Sequence, residues 1–107
     1  MFLRSIRAVD FRNLEGEINW GQGINVIYGN NGQGKTNWLE AIHLLAHAKS
    51  FRTRHLHESI TFGKAAASVQ GHVARGNEVE RELQVDIRVN TRQTLVNRKR
   101  ETLANYA

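Results

Sequence analysis

A chain of 107 residues with 40% hydrophobic content is of single-domain length and carries enough apolar matter for one core, so it reads as one globular unit. Its 15 Lys and Arg against 10 Asp and Glu leave a net charge of +5, which favours anionic partners such as nucleotides and nucleic acid, although a solvated basic surface gives the same count. The absence of cysteine excludes disulfides and thiolate metal sites. No stretch nears the roughly 20 apolar residues of a membrane span and Met1-Phe2-Leu3-Arg4-Ser5 lacks the layout of a signal peptide, so the expected location is the cytoplasm, with no membrane partner.

In chain order, Phe2 to Phe11 and Ile18 to Trp20 read as two strands, separated by the polar, glycine-containing stretch Arg12-Asn13-Leu14-Glu15-Gly16. Ile24 to Tyr28 is a short apolar run, rich in β-branched and aromatic residues, that fits a buried strand ending at Gly29. Glycine-rich sequence follows. From Lys35 the period changes: Trp38, Leu39, Ile42, Leu45 and Ala46 fall at three- and four-residue spacings, an apolar stripe on a helix of about fourteen residues. Lys49, Arg52, Arg54, His55 and His57 then cluster around Phe51, as part of a phosphate-backbone contact surface or as a solvated loop.

Further on, Ala67, Val69, Gly71 and Val73 alternate with Ser68, Gln70 and His72. After the turn-like Arg75-Gly76-Asn77-Glu78, a second alternation places Val79, Leu83, Val85, Ile87 and Val89 on one face and Glu80, Glu82, Gln84, Asp86 and Arg88 on the other. This predicts an antiparallel hairpin with one wet side. Thr94-Leu95-Val96 adds a third strand before Arg98-Lys99-Arg100, which reads as an exposed turn, and the last residues are too few to assign. His43 and His47 stand at helical spacing without a third ligand, so no metal site is expected there.

Gly29-Asn30-Asn31-Gly32-Gln33-Gly34-Lys35-Thr36 matches the P-loop pattern G-x-x-x-x-G-K-[ST] at every fixed position, after an expected strand and at the opening of an expected helix. The glycines allow a tight backbone whose N–H groups point at phosphate oxygens, and the helix start adds partial positive charge to that cradle. Lys35 is expected to reach the β- and γ-phosphates and to be the catalytic cation, and the Thr36 hydroxyl to ligate Mg2+. ATP with Mg2+ is thus the expected cofactor.

Asp10-Phe11-Arg12-Asn13-Leu14, followed by Gly23-Ile24-Asn25-Val26-Ile27-Tyr28 and the P-loop through Asn37, resembles the start of the RecF, SMC and RecN group of ABC-type DNA-repair ATPases. Leu39-Glu40-Ala41-Ile42-His43-Leu44-Leu45 and Lys49-Ser50-Phe51-Arg52-Thr53 are similar to the RecF branch in particular. The resemblance covers about Leu3 to Gly63 well and the region to Asn97 more loosely. It implies an α/β fold: lobe I of an ABC-type head, a mixed sheet with an antiparallel part around the P-loop helix. It also implies that Arg12 and Asn13 lie near the nucleotide base and ribose; a simple turn between strands is the other reading of those two. By resemblance, two full-length heads sandwich ATP as a homodimer, double-stranded or gapped DNA is bound in an ATP-dependent manner, and RecO and RecR are partners in loading recombinase.

The sequence departs from the family pattern in carrying no Leu-Ser-Gly-Gly-like signature segment and no apolar strand ending in Asp-Glu. Asp86 alternates onto a wet face and is not assigned to magnesium. The expectation is a single N-terminal ATP-binding lobe, a fragment of a longer protein, that binds nucleotide without efficient turnover. The first lobe of another SMC-like or overcoming-lysogenization-type ATPase, and a non-hydrolysing nucleotide-binding module, remain alternatives.

Overall fold

Alternation of apolar with polar residues seats every second side chain on one face of a strand, and among the described residues it builds a six-stranded sheet in the order β2-β1-β3-β4-β5-β6. The structure, a computed structural model, describes residues 2–19, 32–50, 52, 54–74, 80–102 and 106. The strands are β1 (Phe2–Phe11), β2 (Leu14–Asn19), β3 (Ala66–Ala74), β4 (Arg81–Arg88), β5 (Arg92–Val96) and β6 (Lys99–Glu101), and every pairing among them is antiparallel. The helix α1 (Gly32–His47) packs on one face. The expected nucleotide strand at 24–28, and with it any parallel part of the sheet, lies outside the described residues, as do Phe51, Thr53 and the expected turn at 75–78.

The inner face is built by Ile6 and Ala8 of β1, Ala67, Val69 and Val73 of β3, and Leu83, Val85 and Ile87 of β4, all buried as the alternation predicts. Phe11 breaks parity with Ile6 and Ala8 yet is fully enclosed. A bulge between Val9 and Phe11, with Asp10 at a positive φ of 54°, supplies the extra residue that swings its ring inward. Val89, placed with the core residues by the alternation, is instead 60% exposed, because β4 ends at Arg88 and the chain turns at Val89-Asn90. Val79 lies outside the described residues.

Two turns are tighter than the sequence suggested. β2 starts at Leu14 rather than Ile18, since Arg12 and Asn13 alone make the turn, both left-handed at φ 48° and 63°, and Leu14 pairs directly with Phe11. The same geometry recurs at Asn97 and Arg98, φ 52° and 69°, so that Lys99 and Arg100 belong to a sixth strand and only Arg98 of the expected basic turn is in the turn. Paired positive φ values are the two-residue hairpin geometry whose twist matches that of the strands.

α1 buries a different face from the stripe read in the sequence. Asn37, Glu40, Ala41, Leu44, Leu45 and Ala48 are enclosed, an i, i+3, i+4, i+7, i+8, i+11 series, whereas Leu39 is 47% exposed and Trp38, Ile42 and Ala46 are half-buried. Apolar content mis-centred the face because two of its buried positions are polar. The helix ends where Ala48 turns left-handed (φ 57°), its N–H donating to the Leu44 carbonyl, while Arg92 Nη1 caps the Ala48 carbonyl at 2.7 Å. Beyond it the chain doubles back through a 3-10 turn, Leu56–Ser59, and docks on the end of β1, where Arg12 N donates to Ser59 O (2.7 Å) and Thr61 N to Asp10 O (2.7 Å).

Candidate nucleotide site at the start of α1

The P-loop residues divide in the structure. Gly29, Asn30 and Asn31 lie outside the described residues; Gly32, Gln33, Gly34 and Lys35 form the first turn of α1; and Thr36 follows them, exposed. A helix start carries N–H groups without an intrahelical partner and a partial positive charge. No acidic residue occupies the first turn of α1 to neutralise it. The helix end is therefore suited to an anion, and its sequence carries Lys35 and Thr36 within the first turns.

Beside this helix start lies a polar cluster that pattern reading did not find. Glu40, 0% exposed, takes four donors on one carboxylate. Oε1 accepts Arg12 Nε at 2.9 Å and Arg52 Nη1 at 3.4 Å. Oε2 accepts Arg12 Nη2 at 3.2 Å and the Ser50 hydroxyl. Asn37, one turn earlier, accepts Arg52 Nη1 at 2.6 Å and donates Nδ2 to the Arg12 carbonyl at 3.2 Å. The turn between β1 and β2, the helix and the returning chain are thereby fastened at one point. A buried carboxylate is tolerated only when its charge and lone pairs are met, which two guanidinium groups and a hydroxyl accomplish.

Arg12 and Asn13 thus stand beside the first half of α1. Their functional groups are arranged differently: the Arg12 guanidinium is committed to Glu40, and Asn13 is exposed, with its N–H donating to Thr61 Oγ1 at 2.9 Å. Arg52, grouped in the sequence with an open basic surface, turns inward to Asn37 and Glu40, its side chain 28% exposed. Arg54, His55 and His57 stay exposed. Asp86 faces away from α1 on the outer side of the sheet, accepting from Ser68 Oγ (2.9 Å) and Gln84 Nε2 (2.8 Å). His43 and His47 pack ring against ring, centroids 4.6 Å apart, and among the described residues no group of three or more His, Asp or Glu gathers as a metal site would require. Among the described residues no helix is long and apolar enough to cross a membrane.

The sequence model of the family described as "RecF/RecN/SMC N terminal domain" matches residues 2–106. The chain belongs to this family. Its relatives include proteins named DNA replication and repair protein RecF: one from Geobacter sp. (strain M21) is 49% identical over 86 residues, covering 79% of this chain and 23% of that protein. Another, from Lactobacillus johnsonii, is 41% identical over 99 residues, 92% of this chain and 26% of that protein. Among solved structures, the recombination mediator protein RecF with ATP in the RecFOR pathway superposes with a TM-score of 0.84 at 34% identity, and its counterpart described as RecF-ATPrS with a TM-score of 0.85 at the same identity. Each covers 94% of this chain and 28% of that structure. The chain is thus similar to an N-terminal segment of RecF and spans about a quarter of the length of the curated relatives it matches.

Proposed function

We propose that this chain is lobe I of the ATP-binding head of a RecF-like recombinational DNA repair protein. The observation that supports the reading most is the union of an intact P-loop sequence, Gly29 to Thr36, with a family match that runs through it from residue 2 to residue 106. Lys35 would hold the β- and γ-phosphates, Thr36 the Mg2+ between them, and the loop backbone of Gly29, Asn30, Asn31, Gly32, Gln33 and Gly34 the remaining phosphate oxygens. When bound, magnesium would supply charge neutralisation at the phosphates. Arg12 and Asn13 would border the base and ribose through the turn they form, whose position Glu40 sets.

In the full-length protein, ATP would close two heads into a dimer, the dimer would bind double-stranded or gapped DNA, and RecO and RecR would join it in loading recombinase. Turnover would draw on groups that this sequence does not contain. Calorimetric titration with a slowly hydrolysed ATP analogue and Mg2+, run beside Lys35→Ala, tests the central claim. Binding by the wild type that disappears in the variant supports a working P-loop; equal binding by both removes Lys35 from the site and overturns the reading.

A further inference from the structure

At the far end of α1 from the P-loop, the fold closes a second anion-attracting feature. A groove of about 390 Å³ runs between the segment Arg54 to His57 and the β4–β5 turn, with Arg88 and Arg92 at its opposite wall. We infer that this groove seats the phosphodiester backbone of duplex DNA, with Arg54, Arg88 and Arg92 as its phosphate contacts. The inference rests on the DNA-binding part of the function proposed above and assigns it a place.

Three features carry the assignment. The first is charge: three arginines and two histidines from separate stretches of sequence converge on the groove, and among the described residues no Asp or Glu lines it and no ion pair joins Arg54, Arg88 or Arg92 to a carboxylate. Cations whose charge is not neutralised by a carboxylate are available to release the counterions of a polyanion, the dominant source of backbone affinity. The second is preorganisation. Arg92 is anchored on the Ala48 carbonyl at 2.7 Å, the β4–β5 turn is closed by Arg88 N to Thr91 O at 2.9 Å, and the opposite wall is held by Glu58 N to His55 O at 2.9 Å and by Leu56 packing on the core. Side chains on such walls lose little freedom when a ligand arrives.

The third is the kind of donor present. Arginine with Asn90 and Thr91 is the set that proteins place on phosphate and sugar, whereas single strands are held chiefly by stacking bases on aromatic rings. Among the described residues no Phe, Tyr or Trp lines the groove. Backbone recognition of a duplex therefore fits the lining better than capture of splayed bases. Eleven residues of α1, at about 1.5 Å each, separate Thr36 at the end of the P-loop from the helix end at His47, which sets the groove roughly 17 Å along the helix axis from the P-loop and gives the two anions separate seats.

The test is fluorescence anisotropy of a labelled duplex oligonucleotide across a salt series, with the wild type, Arg54→Gln/Arg88→Gln, and the charge-matched control Arg7→Gln/Arg81→Gln, whose residues are exposed on β1 and at the opposite end of β4. The groove variant is expected to bind at least about tenfold more weakly and to lose roughly two from the log–log salt slope, one for each phosphate contact removed. The control should stay within about twofold, and all three proteins should bind the ATP analogue equally. Equal losses in both variants overturn the groove and leave DNA binding standing. Preference for a single strand, or displacement of the duplex by poly-glutamate of equal charge, overturns the assignment to a duplex backbone. A wild type that takes up the ATP analogue but no duplex overturns the DNA-binding reading itself.

Discussion

Glu40 and Arg12 form a two-point ion pair between a fully enclosed carboxylate on α1 and the turn that joins β1 to β2, Nε to Oε1 at 2.9 Å and Nη2 to Oε2 at 3.2 Å. The pair links a backbone already held in the left-handed region to the helix that opens with the P-loop. Removing one member of a buried pair costs more than the pair contributes, because the survivor is left uncompensated. Arg12 and Arg52 are only partly enclosed, at 22% and 28%, so water offsets part of that cost. Glu40→Gln is expected to destabilise the fold by about 3 kcal/mol, and Arg12→Lys, which keeps the charge but loses the fork, by about 1 kcal/mol. Urea unfolding midpoints check both; a Glu40→Gln protein as stable as the wild type would show that the cluster holds nothing together.

Gly71 is where Leu45 of α1 presses on the sheet backbone. A Cβ added there would lie 2.2 Å from Leu45 Cδ2 and 3.0 Å from the Ser5 carbonyl oxygen. Leu45 is itself buried and has little room to withdraw. Gly71→Ala is expected to cost about 2 kcal/mol through overpacking. Pairing it with Leu45→Ala should give a double variant less destabilised than the sum of the two single changes, which thermal melts of all four proteins would reveal.

In the proposed site, Thr36 would separate nucleotide binding from metal binding. If its hydroxyl ligates Mg2+, Thr36→Ala should erase the gain in ATP affinity that Mg2+ brings while leaving metal-free affinity within about twofold, since the phosphate cradle is backbone and Lys35. Calorimetry with and without EDTA reads both quantities. A variant that keeps the full Mg2+ increment would displace Thr36 from the metal.

Tyr106 pins the end of the described chain to the helix, its hydroxyl donating to the Leu45 carbonyl at 2.7 Å. Burial pushes its phenol pKa upward from the ordinary value of 10.0. The folded state therefore holds the proton after the unfolded state has begun to lose it. The resulting stability is complete below about pH 10 and falls as pH rises through the folded value. Tyr106→Phe should cost about 1 kcal/mol at neutral pH and should flatten the alkaline limb of a stability–pH curve; a limb unchanged in the variant would assign it to other groups.

Strand β1 was legible to its last residue because its alternation is clean and β4 was legible in its centre for the same reason. The hairpin turns were not, because Arg12-Asn13 and Asn97-Arg98 adopt positive φ without the glycine that advertises it. The P-loop could be read as a motif since phosphate chemistry constrains residue types at fixed spacing. Its supporting cluster was hidden for the opposite reason. Nothing local says that Arg52 turns inward while Arg54, two residues on, stays out. Glu40 did leave a signal: it shares a helical stripe with Asn37, Leu44 and Ala48, a position where an acid requires partners.

The sheet order places β1 beside β3 although the whole of α1 intervenes between β2 and β3 in the chain. The β1–β2 hairpin and the β3-to-β6 meander each join neighbours in sequence and close cheaply, but the seam between them traps the helix and has a large loop-closure entropy to overcome. The Glu40 cluster lies across it, tying the helix to the strand on one side and to the returning chain on the other. A nucleotide held at the start of α1 in the proposed site would latch the seam, and amide exchange along β1 and β3 should slow in step with its occupancy.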